Sequence, residues 1–95
     1  MPTASARHIL VKTMEQATDL KGQIESGKAS FADMAKQHSS CPSGRGGGDL
    51  GTFNKGDMVR EFDQVVFGEL PIGKVSEPVK TQFGYHLIEV TARKA

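Results

Sequence analysis

Long apolar runs are missing from this sequence. Nothing in it approaches the length of a membrane-spanning helix or the apolar core of a secretory leader. Charge of one sign is scarce as well: twelve basic side chains against eleven acidic ones leave a formal charge of +1. No broad field draws nucleic acid or a membrane surface, and no aromatic platform offers to stack bases. Cysteine occurs once, as Cys41, so no internal disulfide forms, which suits a reducing compartment. What is present, 37% hydrophobic and 24% charged residues in a chain of 95, reads as one globular domain near the small end of what a single core supports. The expectation is a cytoplasmic, monomeric single domain over residues 1–95 with its core at about 6–91. A module cut from a longer, exported chain would share these features.

The ligand patterns of metal and nucleotide sites are missing too. His8, His38, His86 and Cys41 have none of the local pairing that a metal site needs, and neither metal nor cofactor is expected. Four glycines crowd the five residues before Asp49 and a fifth follows Leu50, but the P-loop and dinucleotide-binding spacings do not occur. Arg45 keeps an anion contact open. Such a density of glycine suits neither helix nor strand, because each glycine loses the most backbone entropy on ordering. The stretch S-G-R-G-G-G-D-L-G-T-F at 43–53 therefore reads as a loop whose dihedrals or close approaches exclude a Cβ.

Around that loop the chain resolves into elements. Residues 1–5 are small and polar and are expected to be poorly ordered. The run at 6–12 has strand composition, with Ile9 and Val11 facing one way and His8 and Leu10 the other, as in a strand covered on both faces. Thr13 and Gln16 are spaced as a capping box, and Ala17, Leu20 and Ile24 form the stripe of a first helix that stops at Gly27. Ser30 opens a second, whose buried stripe is Phe31, Met34, Ala35 and His38 and which Cys41-Pro42 breaks. Residues 49–53 form a short strand. Asp57 is expected to cap a third helix over 58–67, with stripe Met58, Phe62, Val65 and Val66 and Gly68 as its stop. Two extended runs, 75–81 and 84–91, make a hairpin around Gln82-Phe83. The order predicts an α+β fold with a mainly antiparallel sheet.

Two strand histidines and the cysteine are the candidates for chemistry. His8 and His86 sit among apolar neighbours, as core histidines satisfied by a partner also do. Cys41 could pair with either as a nucleophile, or simply be buried as a small hydrophobe.

H-I-L-V at 8–11, G-G-D-L-G-x-F at 47–53, G-x-M-V at 56–59 with F-D at 62–63, and F-G-Y-H-x-I at 83–88 together resemble the parvulin family of peptidyl-prolyl cis/trans isomerases, over about residues 6–90. The resemblance implies a four-stranded, mainly antiparallel sheet surrounded by about four helices, one of them a short turn at 42–44. It implies that His8 and His86 lie side by side at the sheet centre beneath the pocket. Cys41 matches a position held by cysteine or aspartate, and Thr81 a hydroxyl linked to the histidines; these four are the implied catalytic set. Leu50, Met58 and Phe62 match the enclosure of the substrate proline. Phe83, which stands where phospho-specific relatives carry serine, adds apolar wall, and Phe53 packs behind.

Physical chemistry asks for such a cup. The X-Pro bond has a rotation barrier of roughly 18–20 kcal/mol and exchanges in tens to hundreds of seconds. No bond needs to break, so a water-poor pocket that favours the twisted amide suffices. The role expected of Cys41 is therefore non-covalent. Phospho-specific parvulins carry a basic cluster after the first strand, whereas here Lys12 stands with Glu15 and no arginine pair. Apolar or basic residues before proline are expected to be preferred over acidic or phosphorylated ones. Expected partners are proline-containing peptides and unfolded or partly folded proteins, with no nucleic acid and no membrane. The rival reading is a peptide-binding chaperone module without turnover.

Overall fold

The computed structural model describes residues 2–68 and 70–94; Met1, Glu69 and Ala95 lie outside the described residues. Four strands form one antiparallel sheet in the order β2-β1-β4-β3: β1 (Thr3–Val11), β2 (Asp49–Asn54), β3 (Val79–Thr81) and β4 (Gly84–Lys94). Helices α1 (Met14–Glu25) and α2 (Phe31–His38) follow β1, a 3-10 turn (Pro42–Gly46) precedes β2, and α3 (Arg60–Val66) links β2 to β3. The fold is the α+β arrangement expected, its four helical elements being three α-helices and the 3-10 turn.

Alternation along β1 and β4 gives the sheet two apolar faces. On one face Ile9, Val11 and Leu87 pack under Ala17 and Leu20 of α1 and Phe31, Met34 and Ala35 of α2. On the other, Ala4, Ala6, Ile88 and Val90 pack against Phe53 of β2 and against Phe62 and Val66 of α3. The helix starts are set by their caps: Thr13 Oγ1 accepts from the Gln16 N–H and Ser30 Oγ from the Asp33 N–H, both at 3.1 Å.

Four expectations at element level are corrected. Thr3, Ala4 and Ser5 are ordered strand, because they pair with both Asn54–Thr52 and Lys94–Ala92. His38 is exposed. It ends α2, and the next contact with the sheet is made by Ser39, whose Oγ accepts from the Leu10 N–H at 3.1 Å. Asp57 does not cap α3: its carboxylate accepts from the Asn54 N–H at 2.9 Å and closes the preceding turn, so the helix begins at Arg60 after Val59, which offers no side-chain cap. Its start thus lies at Arg60 and not at Met58, while its C-cap Phe67 is followed directly by Gly68, the expected stop. The first hairpin strand shrinks from 75–81 to Val79–Thr81, since Pro78 has no N–H for the ladder. Upstream of it, Val75 makes one bridge to Glu89, and Ser76 Oγ accepts from the Ile88 N–H at 3.0 Å.

Candidate active site

β1 loses β2 as its neighbour beyond Arg7, and the vacated edge is taken by irregular chain. His8 donates its N–H to the Gly48 carbonyl at 2.9 Å, and the Ser40 N–H donates to the Leu10 carbonyl at 2.7 Å. Here the glycine loop has its reason: Gly48 has φ 85° and any Cβ on it would run into the His8 carbonyl. Glycine alone fits, and its close approach fastens the loop to the strand residue that carries the first imidazole.

In the β1–β4 ladder His8 faces Ile88 and His86 faces Leu10, so the two imidazoles are diagonal neighbours on one face. Their rings stack with centroids 5.2 Å apart at 14°, and the two Nδ1 atoms are 3.0 Å apart. Phe62 closes edge-on against both, at 5.6 Å from His8 and 6.0 Å from His86. Phe53 stacks edge-on behind Phe62 at 6.2 Å.

A hydrogen-bond chain runs through the pair. The Ser43 hydroxyl donates to Cys41 Sγ at 3.3 Å. Having spent its one proton, Ser43 Oγ accepts from His8 Nε2–H at 3.1 Å. The Nδ1 of a neutral His8 is then an acceptor, so His86 Nδ1–H donates to it, and His86 Nε2 accepts from the Thr81 hydroxyl at 2.7 Å. Thr81 Oγ1 in turn accepts from the Phe83 N–H at 3.1 Å. The opposite direction would leave the Thr81 proton without an acceptor. Both rings are neutral in this chain, and burial agrees. Desolvation, helped by the repulsion a protonated His86 would add, lowers the His8 pKa to about 4. Desolvation also lowers that of His86, against the opposing pull of the Glu61 carboxylate.

Above the pair opens a cavity of about 400 Å³. Buried His8, His86 and Phe62 form its base, half-buried Leu50, Met58 and Val59 one side, and Cys41 with Pro42 the other. Phe83, 60% exposed, stands at its rim. Of the eight residues singled out from the sequence, seven line this one cavity, and Thr81 lies a single hydrogen bond behind it. Met58 arrives from the loop before α3 and not from a helical stripe. No direct Cys-His pair forms, because the sulfur reaches the imidazoles only through Ser43. Ser43, which links Cys41 to His8, is the member of this chain that sequence reasoning missed: it lies in a 3-10 turn too short for periodicity. Among the described residues no group of three or more His, Cys, Asp or Glu is placed to hold a metal ion.

Comparison with known proteins agrees with this geometry. Residues 5–92 match the family model of the rotamase, PPIC-type PPIase domain. The chain is 46% identical over 94 residues to the foldase protein PrsA of Geobacillus sp. (strain WCH70), covering 98% of itself and 33% of that protein. It is 48% identical over an alignment of 98 residues to the chaperone SurA of Legionella pneumophila (strain Lens), covering 93% of itself and 22% of SurA. It thus spans a third or less of the length of these curated relatives. The solution structure of NmPin, the parvulin of Nitrosopumilus maritimus, superimposes with a TM-score of 0.85 at 36% identity, covering 97% of this chain and 98% of that one. With the family model spanning nearly all its length and the paired imidazoles set under one apolar cup, the chain belongs to the PPIC-type peptidyl-prolyl cis/trans isomerases, the parvulins.

Proposed function

We propose that this chain accelerates X-Pro isomerisation in peptides and in unfolded or partly folded proteins by non-covalent gripping of the prolyl ring. The observation that carries the reading is the apolar cavity of about 400 Å³ over the neutral imidazole pair. Leu50, Met58 and Phe62 hold the ring and Phe83 closes the rim. The twisted amide has a less polar C–N bond than the planar one, so a dry cup favours it over the ground state. Relief of about 5–7 kcal/mol gives roughly 10⁴–10⁵-fold acceleration at 1.36 kcal/mol per decade. His8 and His86 act as positioning residues. Their fixed tautomers orient Ser43, and through it Cys41, on one side and Thr81 on the other. Cys41 receives a hydrogen bond and has no imidazole beside it to take its proton, which supports polar tuning of the substrate carbonyl and not attack on it.

At the residue before proline, apolar and basic side chains are preferred, since Lys12 and Glu15 offer opposite charges in exposed positions. A protease-coupled assay tests both points, with Leu-Pro peptides turning over faster than Glu-Pro peptides. Faster Glu-Pro would reverse the preference. Peptide binding without acceleration would leave the chaperone module, a reading favoured by the exposed Phe83 at the cavity mouth. The chain is read as a monomer. The cytoplasmic reading rests on a single cysteine without a partner, and cell fractionation tests it. No helix among the described residues is long and apolar enough to cross a membrane.

A further inference from the structure

A second hollow, of about 470 Å³, opens beside the proline cup. The two share Ser40, Cys41 and Pro42, so a peptide leaving the cup on that side passes straight into it. Its chemistry differs. The cup is walled mostly by hydrocarbon, whereas this hollow is lined by the cationic residues Lys36 and Arg45 and by Ser39 and Ser40, with Ser39 Oγ already accepting from the Leu10 and Cys41 N–H groups. Both cations are exposed. Among the described residues neither makes an ion pair, the ion pairs being those of Arg7 and Lys21.

The two cations come from different elements that are locked together. Lys36 is on α2 and Arg45 on the 3-10 turn. Between them lies buried Gly44, where an added Cβ would meet the Ala35 carbonyl oxygen at 2.7 Å and Ser39 Cβ at 2.9 Å. Only glycine lets the turn close so tightly on the helix, and that contact sets Arg45 beside Lys36. Across the cup, the Glu61 carboxylate of α3 acts on His86, and Glu61 and Asp63 outnumber Arg60 as the charges of that helix.

Resting on the isomerase reading above, we infer that the Lys36–Arg45 hollow is a subsite for a carboxylate side chain on the same peptide. The hollow adjoins the cup through Ser40, Cys41 and Pro42, so that side chain belongs to a residue beyond the one next to proline, along a chain that advances about 3.3–3.6 Å per residue. The residue next to proline answers to the cup and to Lys12 and Glu15; this more distant one answers to Lys36 and Arg45. Peptide orientation across the cup then follows from charge, with the acidic end over α2 and the 3-10 turn and away from Glu61.

The test is a set of Leu-Pro peptides in which a glutamate is moved through the three positions on either side of the Leu-Pro pair, each compared with its glutamine twin. At one position glutamate should raise kcat/KM by about three- to tenfold at low salt, the range of two exposed ion pairs. The gain should vanish at ~0.5 M salt and in the Lys36→Ala/Arg45→Ala double variant, with its fold checked by circular dichroism. No glutamate gain at any position, or a gain that survives the double substitution, overturns the subsite while leaving the isomerase reading intact. Should no peptide be turned over, the isomerase reading fails instead. Equilibrium binding of the same peptide pairs, followed by fluorescence polarisation, then decides the subsite by the same glutamate-to-glutamine ratio.

Discussion

On one face of the central β1–β4 pair, Ile9, Val11 and Leu87 are sealed under α1 and α2. On the other, one residue along each strand, stand His8 and His86, with α3 reaching them only through Phe62 and a cavity open above. The same two strands thus build a closed core and an open pocket, and the period of two decides which side chain serves which. What differs is coverage. α1 and α2 run 12 and 8 residues, whereas α3 has 7. The short helix leaves part of its face uncovered, and the buried polar groups there are satisfied by one another. Two neutral imidazoles in a hydrogen-bond chain floor that gap, and among the described residues no buried side-chain polar atom is left without a partner.

The most severe way to break this division of labour is a pair of truncations, one per face. Leu20→Ala on the sealed face removes one of the largest fully buried side chains and should cost about 2–5 kcal/mol. That is a large share of the roughly 5–15 kcal/mol typical of a folded domain. Urea denaturation should register it, while kcat/KM per folded molecule stays put. Met58→Ala is the mirror case. Met58 is half-buried and lines the cup, so stability should change by less than ~1 kcal/mol. Loss of its contact with the ring, about 1.5–3 kcal/mol, should lower kcat/KM by about 10–100-fold. If either variant moved the other's observable as strongly as its own, the two faces would not be separate in function.

Acid offers a gentler separation. His8 is held neutral with a pKa of about 4, and His86 is pushed the same way. An unfolded chain with histidines near 6.5 binds protons that the folded one refuses. The stabilisation is therefore complete above about pH 6.5 and is lost as pH falls toward about 4. With a slope that builds up to 1.36 kcal/mol per pH unit, His8 alone accounts for about 1.5 kcal/mol between pH 6.5 and 5, a window above the ordinary carboxylate range. Urea midpoints across that window should fall, and Leu20→Ala should shift the whole curve down without changing its slope. A flat profile would mean that the imidazoles are not buried as a neutral pair.

Much of this division could be read from the residues alone. The alternation of Ile9 and Val11 with His8 and Leu10 assigned the faces of β1, and Thr13 and Ser30 marked the starts of α1 and α2. The glycine run announced a close approach, though not that Gly48 would meet His8. What local pattern could not supply was long-range pairing. Thr3–Ser5 look like a loose terminus until Lys94 and Asn54 flank them. The meeting of His8 with His86, 78 positions apart, came from family resemblance and not from spacing. The misreadings were competitions between local partners. The Asp57 carboxylate had a nearer N–H at Asn54 than at the helix start, and His38 kept the helical period but occupied its final turn. Ser43 had no legible signal, because a hydroxyl in a five-residue 3-10 turn belongs to no stripe.

The smallest effect expected is also the one that bears most on mechanism. Cys41→Ser exchanges a thiol for a hydroxyl at the side of the cup, with Ser43 still able to donate to it at a slightly longer reach. If the sulfur only tunes the polarity around the substrate carbonyl, kcat/KM should fall less than tenfold, that is by less than ~1.4 kcal/mol, with fold and peptide affinity unchanged. A nucleophilic sulfur would behave otherwise. Serine at that position has no base to activate it, since His8 donates its Nε2–H to Ser43 and does not touch residue 41, and turnover would disappear while binding persisted. Loss of activity with intact binding would thus move chemistry from the apolar walls to the thiol, and the open face would owe its function to one atom instead of to its shape.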